Sequence, residues 1–447
     1  MSELSETARR AVEAALGAGA AAAEAYAGRE SGREVRVHGG EVESLTAATQ
    51  TGVGVRAWIG HRVGYAYGTD LTEAGVGAIA ARAAEAARVA DEDEFAAPPQ
   101  PARVEPLAGL SDPSVATSSA DQVAALALEV ERTALATDPR LAAVEQAVYA
   151  DAAEAVAIAS SAGVAGEYEN STCFAYLQAL AEGENGRETG LGFGLARGPD
   201  GLDPAAIGAE GAERAVAMIG AVKPESRSCP VVLDPTVAAS FAGLIGGGLG
   251  AGSVQRGRSP FAGRLGQEVA SEAFVLYDDG RDPAGAASAP FDAEGVPRRR
   301  TPLIEGGELR AYLYDTYTAN REGVASTGNA ARGGYRSLPS VSASNLIVAP
   351  GELSAAQLLG EGVFVTDVAG LHSGVNPVTG AFSVGASGRA IRGGELAEPV
   401  REFTIAGELV SMLGGVAAAG AEARWVPFGG SVSTPPLLIG EMSISGS

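Results

Sequence analysis

The side chains best suited to metal or nucleophilic chemistry are scarce in this chain. Its 447 residues include three histidines, His38, His61 and His372, and two cysteines, Cys173 and Cys229. They are scattered, with no C-x-x-C pair, which leaves little for an ordinary zinc site or a disulfide framework. The single lysine, Lys223, follows Val222 rather than glycine, so the phosphate-cradling loop G-x-x-x-x-G-K-S/T is absent. Gly246 to Ala251 fits the letters G-x-G-x-x-A of a dinucleotide fingerprint. That loop has to follow its strand at once, and here an apolar helical stretch intervenes, which argues against it.

The elements that would position such groups follow from composition and periodicity. Hydrophobic residues make up 46% of the chain and charged ones 19%, enough for two or three domains with real cores. Lys and Arg number 32 against 55 Asp and Glu, a net charge of −23. That sign disfavours nucleic acid and anionic membranes, both of which are bound through clustered Lys and Arg. The most apolar stretch, Val237 to Gly252, is too short and glycine-rich to span a bilayer, and MSELSETARR lacks an apolar signal core. A cytoplasmic location is the expectation.

Residues 3–20 read as an amphipathic helix. Beyond them apolar and polar residues alternate (Val35, Val37, Val53, Val55, Val63, Tyr65) around Gly39-Gly40 and Gly60, the pattern of short antiparallel strands. Thr69-Asp70-Leu71 starts a helix that runs toward Val89, and the acidic, proline-rich stretch 91–106 reads as a solvated linker. A helix over 119–137, strands over 143–159 and 165–181, and a helix over 204–220 make a second unit of similar order. After 221–228 the chain is strand-rich, with Gly306-Gly307 and Gly393-Gly394 as hairpin turns. The expected fold is α+β: two N-terminal α/β units, over 1–112 and 113–225, and a β-rich C-terminal domain over 226–447.

Several blocks, in order, carry a resemblance to one family. GEVESLTAATQTGVGVRAWIGHRVGYAYGTDL lies near the N-terminus, and SVQRGRSPFAGRLGQEVAS, PFDAEGVPRRRTPLIEGGEL, REGVASTGNAARGGYR and GLHSGVNPVTGAFSVGASG lie in the C-terminal half. On these the chain resembles the TldD/PmbA metallopeptidases, peptidase family U62, once called modulators of DNA gyrase. The resemblance implies a fold of the PmbA/TldD kind and two kinds of subunit. The TldD kind carries His-Glu-x-x-x-His on a helix and a later Cys, with the Glu as general base on a metal-bound water. Here the matching stretch reads Gly246-Gly247-Gly248-Leu249-Gly250-Ala251, so the two His positions hold Gly246 and Ala251 and the base position holds Gly247. None of these side chains can ligate or accept a proton, and no cysteine follows Cys229.

The resemblance therefore implies a PmbA/TldE-type subunit with no metal of its own, zinc being supplied by a TldD-type partner in a heterodimer acting on unfolded or short peptides. The alternative is a stand-alone peptide-binding or scaffold protein, as a homodimer, without peptidase chemistry. Candidates for a peptide channel or subunit interface are His372, Ser373 and Asn376 in the loop 370–377, and Ser326 and Asn329 in Ser326-Thr327-Gly328-Asn329. Each also suits loop-fixing hydrogen bonds, and Asn376 suits a turn before Pro377. Asp367 stands five residues before His372 and suits orienting it. Arg256, Arg258 and Arg298-Arg299-Arg300 are basic clusters that suit an acidic partner or simple solvation.

Overall fold

The computed structural model describes residues 2–183, 186–428 and 430–446. One element order is used twice in its N-terminal half. Helix α1 (Glu3–Gly17), strands β1 (Ala22–His38), β2 (Glu41–Ile59) and β3 (Arg62–Gly68), and helix α2 (Glu73–Val89) come first. After a short helix α3 (Ser114–Thr117), the order recurs as α4 (Ala120–Thr137), β4 (Leu141–Ser160), β5 (Ala165–Gly183), β6 (Gly186–Ala196) and α5 (Pro204–Ala217). Each long helix starts on a side-chain cap: Ser2, Thr72, Ser119 and Asp203 accept from amides in the first turn.

The two units share one sheet. β1 and β4 pair antiparallel from Glu24↔Ser160 to Val37↔Ala147, giving the order β3-β2-β1-β4-β5-β6. Period-two alternation then decides what each face meets. Ala23, Ala25, Ala27, Val35 and Val37 of β1 pack under the helices. Glu24 and Tyr26 point the other way, onto the C-terminal domain. The stretch 91–106 has no regular structure, but it is tied down rather than free. Arg281 donates to the carbonyls of Glu105 (3.1 Å) and Pro106 (3.0 Å), and Asn320 donates to that of Phe95 (2.9 Å).

The C-terminal domain runs β7 (Arg227–Leu233), α6 (Pro235–Leu249), α7 (Ala251–Gln255), β8 (Leu276–Asp279), β9 (Arg300–Glu305), β10 (Glu308–Leu309) and α8 (Thr316–Glu322). It continues through β11 (Ala330–Ala331), β12 (Ser340–Val341), β13 (Asn345–Val348), α9 (Ala355–Leu358), β14 (Gly362–Ala369), α10 (Leu371–Gly374), β15 (Ala381–Arg392) and β16 (Glu395–Glu408). It ends with α11 (Leu409–Gly414), β17 (Val416–Ala419), β18 (Arg424–Val426), β19 (Ser431–Thr434) and β20 (Leu437–Ser445). The Gly-Gly pairs turn the hairpins β9–β10 and β15–β16 with all four glycines at positive φ, where a Cβ would be strained. Strands β7, β14, β15, β16 and β20 close into a ring, because β20 pairs with both β7 and β16. A second sheet, β10-β9-β8-β13-β19-β18, faces it, and α6 packs between the two.

Sheet and C-terminal domain are joined by a closed ion network. The Arg56 guanidinium donates from Nη2 to Glu24 Oε2 (2.5 Å) and from Nη1 to Glu294 Oε1 (2.9 Å). Arg332 reaches Glu24 Oε1 at 2.7 Å while stacking over the Tyr26 ring. All four charged side chains are almost wholly buried, and two cations balance two carboxylates. Next to them, burial and the Glu294 charge push Asp292 up to about 7, against pull from the Ala330, Glu294 and Val296 amides. Burial would raise Glu294 too, but Arg56 and the Thr316 amide outweigh it and hold that carboxyl low.

Candidate functional site

The stretch that matches the metal motif lies at the C-terminal end of α6. Asp234 caps the helix through the Thr236 amide (2.9 Å), and Pro235 occupies its first turn. Phe241, Ile245 and Leu249 are fully buried, with Phe241 edge-on to Phe382. The helix stops at Leu249, where Leu313 and Ala251 stitch it to the neighbouring segment through Leu313 N to Leu249 O (3.0 Å) and Ala251 N to Leu313 O (2.8 Å).

A cavity of about 190 Å³ opens over this end of the helix. Its floor is Gly243, Gly246, Gly247 and Gly250, and its walls come from Ser253 and Arg256 on one side and residues 341–344, Leu346 and 430–432 on the other. At Gly246 a Cβ would stand 2.3 Å from Leu346 Cδ1, so Leu346 occupies the space a side chain there would need. At Gly247 a Cβ would meet nothing within 4 Å. Ala251 is fully buried in the next helix.

The donor set of the cavity does not fit a zinc ion. Its lining contains no Asp, Glu, His, Cys, Lys or Tyr, only glycines, apolar residues, the serines 253, 342, 344 and 431, and Arg256, whose charge repels a cation. No group of three or more His, Cys, Asp or Glu side chains that could hold a metal occurs anywhere among the described residues. The carboxylate of Asp278 lies behind the wall and is taken up by Ser344 Oγ (2.6 Å), Ser344 N (2.7 Å) and Asn329 Nδ2 (2.7 Å). Burial raises its pKa despite those bonds. The cavity can therefore hold a polar ligand by hydrogen bonds and one guanidinium, but it offers no general base.

Of the residues singled out in the sequence, Gly246, Gly247 and Arg256 meet at this cavity. Arg256 is exposed and makes no ion pair among the described residues. Arg258 is exposed two residues further on and lies off the cavity wall. Asn329 is buried beside Asp278, and Ser326 Oγ donates to the Tyr314 carbonyl (3.1 Å) and accepts from Gly328 N (3.1 Å). Asn376 Oδ1 accepts from the amides of Val378 (2.9 Å) and Thr379 (3.2 Å), so it fixes its own turn. Ser373 Oγ donates to Gly370 O (3.3 Å), and the His372 ring is exposed with no hydrogen bond from Asp367 or any other described residue.

The Arg298-Arg299-Arg300 cluster is spent inside the chain, on the carbonyls of Ala287 and Ser326 and over the Tyr277 ring. Both cysteines are buried, and loss of solvent pushes Cys173 up to about 12 and Cys229 upward as well, so neither presents a thiolate. Sequence reading missed Leu346 and the serine wall. The alternation Ser340, Ser342, Ser344 was a usable signal for the wall, whereas no local pattern marks Leu346 as the residue that fills the space over Gly246.

Comparison with known proteins agrees with this anatomy from end to end. Residues 23–87 match the PmbA/TldA metallopeptidase domain 1, 113–219 the central domain and 226–446 the C-terminal domain. The chain is 29% identical to a metalloprotease PmbA homolog of Haemophilus influenzae over 451 aligned positions, covering 100% of this chain and 96% of that protein. The crystal structure of a putative modulator of DNA gyrase from Thermotoga maritima superposes with a TM-score of 0.90 at 26% identity, over 98% of this chain and 99% of that one. TldE from Thermococcus kodakarensis shares the fold, with a TM-score of 0.89 at 22% identity over 98% and 100% of the two chains. With three consecutive domains matched and an α+β architecture of two N-terminal units and a β-rich C-terminal domain, the chain belongs to the PmbA/TldD metallopeptidase family.

Proposed function

We propose that this chain is the non-catalytic, TldE-like subunit of a heterodimeric cytoplasmic peptidase. A TldD-type partner would supply zinc, general base and ligands, and this chain would wall the chamber that admits unfolded or short peptides. The observation that carries the reading is the cavity over α6, whose floor has Gly246 and Gly247 at two of the three motif positions and whose lining holds no Asp, Glu, His, Cys, Lys or Tyr, the third position being the buried Ala251. The glycine floor leaves room for an extended peptide backbone, and the serine hydroxyls and Arg256 supply partners for its polar groups.

A stand-alone peptide-binding protein is the second reading. Residues 41–50 of β2 favour it: they run past the end of β3, which pairs only with Val53–Ile59, and they are exposed. Such a free edge accepts an added strand. Mixing the purified chain with a TldD-type chain and assaying peptide cleavage separates the two. The heterodimer reading expects a stable complex whose cleavage is abolished by a chelator. Absence of complex and of activity, with peptide still bound by this chain alone, would favour the second reading.

A further inference from the structure

At the opposite end of α6, about 16 Å from Gly247 at 1.5 Å per residue, a cleft of about 560 Å³ separates the central unit from the C-terminal ring. Leu191, Met218, Phe364 and Leu396 form apolar walls. Four carboxylates, Glu188, Glu213, Asp234 and Asp367, line it against two guanidiniums, Arg214 and Arg389.

The two guanidiniums are already engaged. Arg214 bonds Glu210 (3.1 Å) and Asp234 (3.2 Å), and Arg389 donates to the carbonyls of Leu396 and Ala397. Glu188 is paired with Arg401 at 2.5 Å. That leaves Asp367 and Glu213, which have no ion-pair partner among the described residues and are both open to the cleft. Thr236 Oγ1, on the same wall, is shut off from solvent without a hydrogen-bond partner.

We infer that this cleft binds an organic cation with an apolar stem, a basic side chain of a peptide or a free amine of that shape. Its head would sit between Asp367 and Glu213 and its stem on the apolar walls. Burial raises the Asp367 pKa against the pull of the Val368 amide and the Arg214 charge, and a cation placed at its open side would favour the ionised form. The site shares no residue with the cavity over Gly246.

Calorimetry on the isolated full-length chain tests it. The probes are a capped Ala-Ala-Arg-Ala-Ala peptide, the same peptide with Gln for Arg, and agmatine as the free amine. The Arg peptide is expected to bind at least about tenfold more tightly than the Gln peptide, the scale of one charge-assisted hydrogen bond. Asp367→Asn is expected to weaken it by a similar factor, with Glu213→Gln as a second variant at an exposed position. Agmatine binding as tightly as the Arg peptide would identify a free amine as the ligand, and weaker binding would identify the peptide side chain. Equal affinity for the Arg and Gln peptides, no detectable binding of any probe, or binding unchanged in both variants would overturn the inference.

Discussion

The joint around Arg56 and the cavity over α6 are opposites. The joint concentrates ionisable side chains, Glu24, Arg56, Glu294 and Arg332, in a buried network of two cations and two carboxylates. The cavity is open and its floor, Gly243, Gly246, Gly247 and Gly250, is bare of side chains. In this molecule buried charge serves to lock the N-terminal sheet onto the C-terminal domain. Helix α6 under the cavity is a well-held scaffold, with its cap, its packing and its stitch to Leu313. The difference teaches that a helix end floored with glycine can be held as firmly as a buried charge network, by its cap, its packing and its backbone bonds.

Breaking the joint should have the largest effect. Arg56→Ala leaves Glu294 buried without its cation and Glu24 with Arg332 alone, and removing one partner of such a network costs about 3–5 kcal/mol. A urea titration of the variant should show that loss as a lowered midpoint. A midpoint within error of the parent would show that water reaches the joint.

The joint should also give stability a pH dependence. Asp292 is pushed up to about 7 in the fold, while in the unfolded chain it titrates as an ordinary carboxyl. The folded state therefore holds a proton that the unfolded state has lost. The stabilisation linked to that proton is complete below the unfolded pKa and disappears as pH rises through about 7. Thermal unfolding between pH 5 and 8 should show stability declining with pH, and Asp292→Asn should flatten that decline. The slope is the readout, because the substitution also perturbs the bonds from the Glu294, Val296 and Ala330 amides. An unchanged slope would assign the proton to another group.

The smallest effects concern the glycine floor, where two neighbours should respond with opposite sign. Gly247→Ala adds a methyl to open space within a helix and should stabilise by about 0.5–1 kcal/mol. Gly246→Ala drives its methyl into Leu346, and overpacking of about 1–3 kcal/mol should outweigh the gain in helix propensity. Equal responses would mean that Leu346 moves aside freely.

What the sequence made legible follows the range of each interaction. The strand–Asp-Pro-Thr–helix start of α6 and the Gly-Gly hairpins were readable because turn and cap chemistry is local. So was the bareness of positions 246, 247 and 251, since an absent donor needs no coordinates. The duplicated element order was visible only as a weak likeness, and nothing local shows that β1 and β4 would pair to fuse the two units into one sheet. The joint was invisible for the same reason. Glu24 and Arg56 sit on neighbouring strands of β1 and β2, but Glu294 and Arg332 come from more than 230 residues away, as the 238-residue separation of Arg56 and Glu294 shows. His372 and Asp367 illustrate the converse: close in sequence, they make no hydrogen bond, because α10 carries the ring into solvent while the carboxylate lines the cleft between domains.

The measurement that tests the central claim most directly is metal content, with peptide cleavage, of the purified chain on its own. The account predicts no stoichiometric zinc after equilibration with the metal, and no chelator-sensitive cleavage. One zinc bound per chain, together with cleavage that a chelator abolishes, would contradict it.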